Sequence, residues 1–432
     1  MPLPKKSNNQ KPVESTGMHA LVAVPRAWLV ALTILLVLPW LVVAALYWRA
    51  VPATGGRPAP EPTRTAAAPG RVTAAPGPWG TLALTPIIIS PPLELVSTDW
   101  GPAAEPRWSF PGVETGDLEV FLRASGLAPA DVAQVMSTAR TDPGTQALVV
   151  SPGLGLVRRL DPDTRARVYG LLSRSSLNFD QAQSFRFPGT SIEAWLGGSL
   201  IAPSTRAALE PLIYQNDGYL HFADVDVIRT HVTDPGEIRR LAKVLLRQRT
   251  LLVGLTIGDS GEVDRLAEYW GRGGRRTDLR PLLESVAGSA ERTIDVALLL
   301  PIFARTHLYR YPKLSTGDYE KPALANCLWT ALNFFADEPD DRALDVNFAL
   351  ERLKTDYYIV EDGFQLGDVV ALIDEDNDLF HVVVYLAADL VITKNGMSPV
   401  APWIILPLDE VKRYYGTQTS QPRVIYHRRN DL

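Results

Sequence analysis

The sequence is poor in cysteine, with Cys327 as its single thiol among 432 residues. One thiol cannot form an intramolecular disulfide, and it excludes cysteine-rich metal sites such as zinc ribbons. Stability of the folded part must therefore come from core packing. A lone free thiol on an exported protein is a chemical liability, so the presence of Cys327 calls for a chemical explanation.

The chain also lacks a surplus of positive charge. It contains 43 Lys and Arg residues and 48 Asp and Glu residues, which gives a net charge of -5. Neutralising phosphates requires excess Lys and Arg, so nucleic acid is excluded as an expected partner. A hydrophobic share of 46% and a charged share of 21% are ordinary for globular proteins, and the length leaves room for two or three domains.

One long hydrophobic run stands near the N-terminus. No charged residue occurs from Ala27 to Trp48, and roughly 20 such residues cross the hydrocarbon core of a bilayer. Trp28 and Trp48 suit the two interfacial belts. We predict a transmembrane signal anchor over 27–48 that contacts the lipid bilayer, after a cytoplasmic tail over 1–26. A buried core helix and a cleaved signal peptide are the alternatives, but 44–48 makes a poor cleavage site.

The next segment, 49–80, is dominated by Ala, Pro, Gly, Thr and Arg. Such a composition cannot bury enough apolar surface to offset its ordering entropy, so we predict a disordered tether. A short tail before the span and a large body after it favour an extracytoplasmic body, periplasmic or at the cell surface.

The stretch 81–305 carries repeated helix signals. Asp161-Pro162 and Asp234-Pro235 each place an N-cap residue before a proline at the first helical position, and apolar stripes follow. The sequence therefore predicts a mainly helical domain without internal repeats. Histidines such as His221 are interpreted as structural, because no metal-ligand spacing accompanies them.

Cys327 opens an apolar pattern of helical period. Leu328, Ala331, Leu332 and Phe335 recur on one face, which predicts a helix over 326–335 with the thiol in its first turn. The exposed amides and dipole of a helix N-terminus favour the thiolate, the nucleophilic form of cysteine.

A β-hairpin follows in the sequence. His381 opens a strongly β-prone strand, and a short turn leads into a second strand that ends near Asn395. A three-residue loop places His381 opposite Asn395, whereas a four-residue loop places Lys394 there. An imidazole that takes a thiol proton and a polar group that orients the ring are the partners of a cysteine nucleophile.

The order of these parts resembles the NlpC-type cell-wall peptidases, which are papain-like, CHAP-related cysteine hydrolases. The resemblance covers roughly 323–396: a cysteine at a helix start, Gly367-Asp368 before a strand, a histidine opening the next strand, and a polar residue one strand later. It implies an α+β, papain-like domain over 306–432, with a helix packed on an antiparallel sheet.

The resemblance also implies roles for single residues. Cys327 would be the nucleophile, His381 the general base and later acid, and Asn395 the orienting residue, while the backbone amide of Cys327 would contribute to the oxyanion hole. Tyr311 and Tyr319 are candidates for the second donor. Family members commonly carry Asp-Cys-Ser-Gly, whereas this chain has bulkier residues after its cysteine.

The function expected from these features is amide or peptide hydrolysis through a thioester acyl-enzyme, on cell-wall peptides, without a metal or an organic cofactor. Thiol acyl transfer would use the same residues and differs only in whether water or an amine resolves the intermediate. The alternative from another class is a non-catalytic envelope scaffold or binding protein in which Cys327 is simply buried.

Overall fold

The computed structural model describes residues 72–97, 104–312, 325–416 and 421–432. All of them belong to one compact unit. The predicted cytoplasmic tail and the predicted span over 27–48 lie outside the described residues. Within the described ranges, no helix combines the length and apolarity needed to cross a bilayer.

The described part of the chain is α+β, with fifteen α-helices and four antiparallel sheets. The helices are α1 Thr115–Ala124, α2 Pro129–Met136, α3 Leu154–Arg159, α4 Pro162–Leu172, α5 Phe179–Ala182, α6 Ile192–Leu196, α7 Pro203–Leu209, α8 Val225–Arg229, α9 Pro235–Leu245, α10 Val263–Trp270, α11 Arg276–Ala287, α12 Ile302–His307, α13 Cys327–Leu332, α14 Val346–Thr355 and α15 Leu408–Tyr415.

The strands are β1 Val72–Thr73, β2 Thr81–Ile89, β3 Trp108–Phe110, β4 Arg140–Thr141, β5 Leu148–Val150, β6 Phe185–Pro188, β7 Tyr214–Asn216, β8 Tyr219–Phe222, β9 Gln248–Thr256, β10 Thr293–Asp295, β11 Tyr357–Val360, β12 Val369–Ile373, β13 Leu379–Ala387, β14 Leu390–Lys394, β15 Trp403–Pro407 and β16 Arg423–Arg429. They form sheets in the orders β1-β2-β9-β10, β3-β5-β4, β6-β8-β7 and β11-β16-β12-β13-β14-β15.

The two predicted helix starts are confirmed. The Asp161 carboxylate accepts hydrogen bonds from the backbone N–H groups of Asp163 and Thr164, and the Asp234 carboxylate accepts one from Glu237. These bonds satisfy amides that have no partner inside their helices.

The region 81–305 contains helices α1 to α11, and three of the four sheets also draw strands from it. Its longest pairing joins β2 to β9 over nine residue pairs. The predicted tether also differs at its end, since Val72–Thr73 pairs with Leu84 and Ala83 of β2. Backbone groups of a sheet edge offer ready hydrogen bonds to an adjacent extended segment, whatever its composition.

One hydrophobic core runs across the predicted boundary at residue 305. It contains Leu82, Leu255 and Trp270 from before the boundary, and Val384 and Ile405 from after it. Strand β9 also bonds across the boundary, where the Thr250 hydroxyl donates to the Ile405 carbonyl at 3.0 Å. The body of 81–305 thus lies directly against the C-terminal sheet.

The six-stranded sheet is covered on both faces. Helices α13 and α14 pack on one face, over Val382, Val384 and Ile392. Helix α15 packs on the other, over Val383 and Tyr385. Side chains alternate between the faces along each strand, so successive residues of β13 and β14 point in turn toward α13 and toward α15.

The ring of Phe335, just after α13, lies between two glycines with positive φ. A Cβ added to Gly367, whose φ is +89°, would stand 2.1 Å from Phe335 Cε2, and one added to Gly273 would stand 2.5 Å from Cδ1. Only glycine allows the ring this position, so Gly367 fixes the helix that carries the thiol against the sheet.

We expect Gly367→Ala to lower the free energy of unfolding by about 2–4 kcal/mol, because left-handed strain adds to overpacking against the ring. Gly363→Ala is the matched control: its φ is +64° but no atom lies within 4 Å of the added Cβ. It should cost only about 1–2 kcal/mol. Urea denaturation measures both, and equal losses would refute the steric account.

Candidate active site

Cys327 lies at the first position of α13, as predicted. The preceding Asn326 is the N-cap, and its side-chain oxygen accepts a hydrogen bond from the Trp329 backbone N–H at 2.8 Å. Burial raises the pKa of the Cys327 thiol, while hydrogen bonding from the backbone amides of Val382, Leu328 and Cys327 itself acts in the opposite direction. The thiol therefore lies beside the peptide group that joins His381 to Val382.

His381 is almost fully buried on the α15 side of the sheet. Its ring stacks on Tyr415 with the centroids 4.2 Å apart, and its Nε2 lies 2.8 Å from Thr393 Oγ1. Burial lowers the pKa of His381 to about 3, so the imidazole is neutral at ordinary pH.

A relay of hydrogen bonds fixes the tautomer of this ring. The Thr393 hydroxyl donates its proton to Asn395 Oδ1 at 3.0 Å, so its oxygen must accept from Nε2–H of His381. Nδ1 is then the unprotonated nitrogen, and it forms no hydrogen bond within the described part of the chain. An imidazole with a free Nδ1 lone pair is the form that can accept a thiol proton.

The structure places Thr393 between His381 and Asn395, the two residues predicted to meet. The register of β13 and β14 pairs Val384 with Ile392, and continuing it would set residue 381 opposite 395. All three side chains share a face, and the imidazole reaches its diagonal neighbour instead of the residue directly across. Side-chain alternation places Thr393 on the same face as His381 and Asn395, but it does not choose between the facing and the diagonal neighbour.

Lys394, the alternative partner for His381, points to the opposite face. Its Nζ donates to the carbonyls of Gly396 and Ser398 at 2.8 and 3.1 Å and lies 5.5 Å from the centre of the Trp403 ring. Burial lowers the pKa of Lys394 to about 8, and the nearby Cys327 acts against this shift. Lys394 thus belongs to the thiol's side of the sheet.

Cys327 and His381 form no direct hydrogen bond within the described ranges. The thiol approaches the start of β13 from the face covered by α13, and the imidazole lies on the face covered by α15. Of the predicted second donors, Tyr311 has a buried hydroxyl without a partner among the described residues, and Tyr319 lies outside them. The structure thus joins His381 to Asn395 through Thr393 and brings Cys327 to the neighbouring peptide group.

The buried, neutral state of His381 predicts a pH dependence of stability. The unfolded chain binds a proton near pH 6.5, whereas the folded chain binds it only near pH 3. Stability supplied by this group is therefore complete above pH 6.5 and is lost as the pH falls, at up to about 1.4 kcal/mol per pH unit. We expect His381→Gln to lose less stability than the native chain between pH 6.5 and 4.5, measured by urea unfolding. If the free energy of unfolding falls by the same amount in both proteins over this pH range, His381 is not a buried neutral group.

Comparisons with known proteins give no family for this chain: no family model, no curated protein and no solved structure matches it significantly.

Proposed function

We propose that the chain is a membrane-anchored cysteine hydrolase of a cell envelope that cleaves amide or peptide bonds in cell-wall peptides. The proposal joins the span predicted over 27–48 to a papain-like arrangement of α13 on the antiparallel sheet. One observation carries it: the Asn395–Thr393–His381 relay holds an imidazole with a free Nδ1 beside the peptide group that reaches the Cys327 sulphur.

The reaction follows from these atoms. Nδ1 of His381 takes the thiol proton, and the Cys327 sulphur attacks the substrate carbonyl carbon, whose oxygen becomes an oxyanion that the Cys327 backbone N–H can stabilise. The imidazolium returns its proton to the leaving amine as the C–N bond breaks, which leaves a thioester. Water, deprotonated by Nδ1, then attacks the thioester carbonyl carbon; the C–S bond breaks, the product carboxylic acid leaves, and the imidazolium returns its proton to the sulphur.

Sulphur and Nδ1 lie on opposite faces of the sheet and form no hydrogen bond in the structure, so catalysis requires the His381 ring to leave Tyr415 and turn around the start of β13 toward α13. This movement also takes the ring out of the burial that lowers its pKa to about 3, so the imidazole becomes a stronger base. Thr393 holds the ring in the productive tautomer before the movement, because its hydroxyl is committed to Asn395.

Amine release tests the proposal. Full-length chain, purified in mild detergent, is incubated with purified cell-wall peptides, and new amino groups are quantified over time. We expect steady release that stops after treatment with iodoacetamide, because Cys327 is the only cysteine. Release that persists after alkylation, or no release from any peptide, would overturn the proposed activity.

The relay makes a second, sharper prediction about the orienting residue. Thr393→Val removes the only polar partner that Nε2 has among the described residues and should lower turnover about 10²-fold, because the ring loses its tautomer. Asn395→Ala keeps the contact between His381 and Thr393 but removes the acceptor that commits the Thr393 hydroxyl, so we expect a smaller loss of about 10-fold. Initial rates of amine release measure both losses. A larger loss in Asn395→Ala than in Thr393→Val would show that Asn395 contacts the ring directly.

A non-catalytic binding protein is the second candidate, and the covering of His381 by Tyr415 favours it. A histidine stacked under a tyrosine and hydrogen-bonded to a threonine is also a satisfied structural group. In that case Cys327 is a buried small residue, and the chain would bind peptides without releasing amines.

A further inference from the structure

A cavity of about 460 Å³ opens beside the site, between the body of 81–305 and the end of the C-terminal sheet. One wall contains Arg174, Arg186 and His221, and the other contains Asn395 and Tyr415. Its volume lies in the range of ligand sites in proteins, about 300–1,000 Å³. Tyr415 both lines the cavity and stacks on His381, so the cavity reaches the ring that covers the imidazole.

Arg186 is held rigidly in this cavity. Its guanidinium donates to the carbonyls of Tyr414 and Ala182, at 3.2 Å each, and lies 5.3 Å from the centre of the Tyr414 ring. Two carbonyls and a stacked ring fix the orientation of the guanidinium but do not neutralise its charge. A pre-oriented fork of this kind loses little entropy when it binds a planar anion.

The cavity carries excess positive charge. Its charged lining residues are Arg174, Arg186 and Asp217, and neither arginine forms an ion pair within the described ranges. His221 adds no positive charge: burial, followed by the charge of Arg186, lowers its pKa to about 4, so it is neutral. Ser184 Oγ and the Asn216 carbonyl satisfy its two ring nitrogens, at 3.0 and 3.3 Å. Arg186 therefore has no counter-charge of its own among the described residues.

We propose that this cavity binds the free carboxylate of a short peptide through Arg186. The proposal rests on the proposed function for its choice of a peptide as the anion's source. Side-chain amides of Gln181, Gln183 and Asn395 line the same cavity and offer donors and acceptors that match peptide groups. The partly exposed rings of Tyr414 and Tyr415 supply apolar contact for small side chains.

The test compares two probes on one protein. Acetyl-trialanine with a free carboxylate and the same peptide with a C-terminal amide are titrated by calorimetry into the full-length Cys327→Ala variant, which cannot cleave them. We expect the carboxylate form to bind at least about 10-fold more tightly than the amide. Equal affinities, or no binding of either peptide, would overturn the carboxylate site.

Variants of the arginine sharpen the result. Arg186→Gln should weaken binding of the carboxylate peptide about 10-fold, Arg186→Lys should restore part of it, and exposed Arg239→Gln is the matched control. If Arg186→Gln fails to fold, the difference in affinity between the carboxylate and amide peptides on Cys327→Ala still tests the carboxylate site. Inorganic phosphate that displaces the peptide at similar concentration would contradict selectivity for a carboxylate. Carboxylate-dependent binding by a native chain that releases no amines would support this inference and reject the hydrolase.

Discussion

Replacing Arg165 by leucine is expected to lower the free energy of unfolding by about 3–5 kcal/mol. The Arg165 side chain is fully buried and pairs with Asp224, whose side chain is 4% exposed. It also donates to the carbonyls of Val157 and Leu160, at 2.9 and 3.2 Å. Removing the cation leaves the Asp224 carboxylate buried without a counter-charge, a loss that costs about this amount in proteins.

An exposed ion pair is the matched control for the buried one. Arg123 pairs with Glu119 on α1, with both side chains nearly half exposed, so Arg123→Leu should change stability by less than about 1 kcal/mol. The double variant Arg165→Leu/Asp224→Leu should recover much of the loss, because it removes both buried charges. Urea denaturation of the three variants checks the account, and a loss below 1 kcal/mol for Arg165→Leu would contradict it.

The largest effect on activity is expected for Cys327→Ala, at least about 10³-fold in the initial rate of amine release. No other thiol exists to form the thioester, and loss of a nucleophile removes the covalent pathway entirely. The substitution leaves the N-cap bond from Trp329 to Asn326 in place, so the helix should persist. Circular dichroism and the unfolding midpoint confirm the fold of the variant before its rate is compared.

A structural role would give a different pattern. If Cys327 only fills space, Cys327→Ala should lower stability without changing amine release, and Cys327→Val should be tolerated as well. A nucleophilic role requires both variants to lose activity alike, whatever their stability. Retention of more than a tenth of the native rate in either folded variant would exclude Cys327 as the nucleophile.

Local structure was predictable wherever one periodicity or one cap dominates. The helices predicted at Asp161-Pro162 and Asp234-Pro235 begin there, and the strand predicted after Gly367-Asp368 begins at Val369, because an N-cap before a proline and a continuous apolar run leave few alternatives. Predictions for 81–305 missed short strands such as Leu148–Val150 and Phe185–Pro188. A strand of three or four residues has no readable period of its own, and its pairing depends on partners far along the chain.

Local sequence patterns also predicted part of the candidate site. The position of Cys327 follows from a local helix signal, and the hairpin that carries His381 and Asn395 follows from alternation. The contact with Thr393 could not be derived in this way, because a choice between facing and diagonal neighbours depends on how the ring rotates under Tyr415. Tyr415 lies on α15, whose docking against the sheet no local pattern encodes.

The coupling between thiol and imidazole is the central claim, and the rate of alkylation of Cys327 tests it most directly. Iodoacetamide labelling of the full-length chain reports a single site, since no other cysteine exists. Rates are measured from pH 5.5 to 9 for the native chain, His381→Ala and the exposed control His231→Ala. The same three proteins unfolded in urea should be labelled at one rate, which shows that the reagent works equally well in each sample. Because burial raises the pKa of the thiol, reactivity near pH 7 requires a base beside it. We expect the rate near pH 7 to fall at least about 10-fold in His381→Ala and to stay unchanged in His231→Ala. Identical rates in all three proteins would mean that Cys327 and His381 do not act together, and the hydrolase would have to be abandoned for a binding protein.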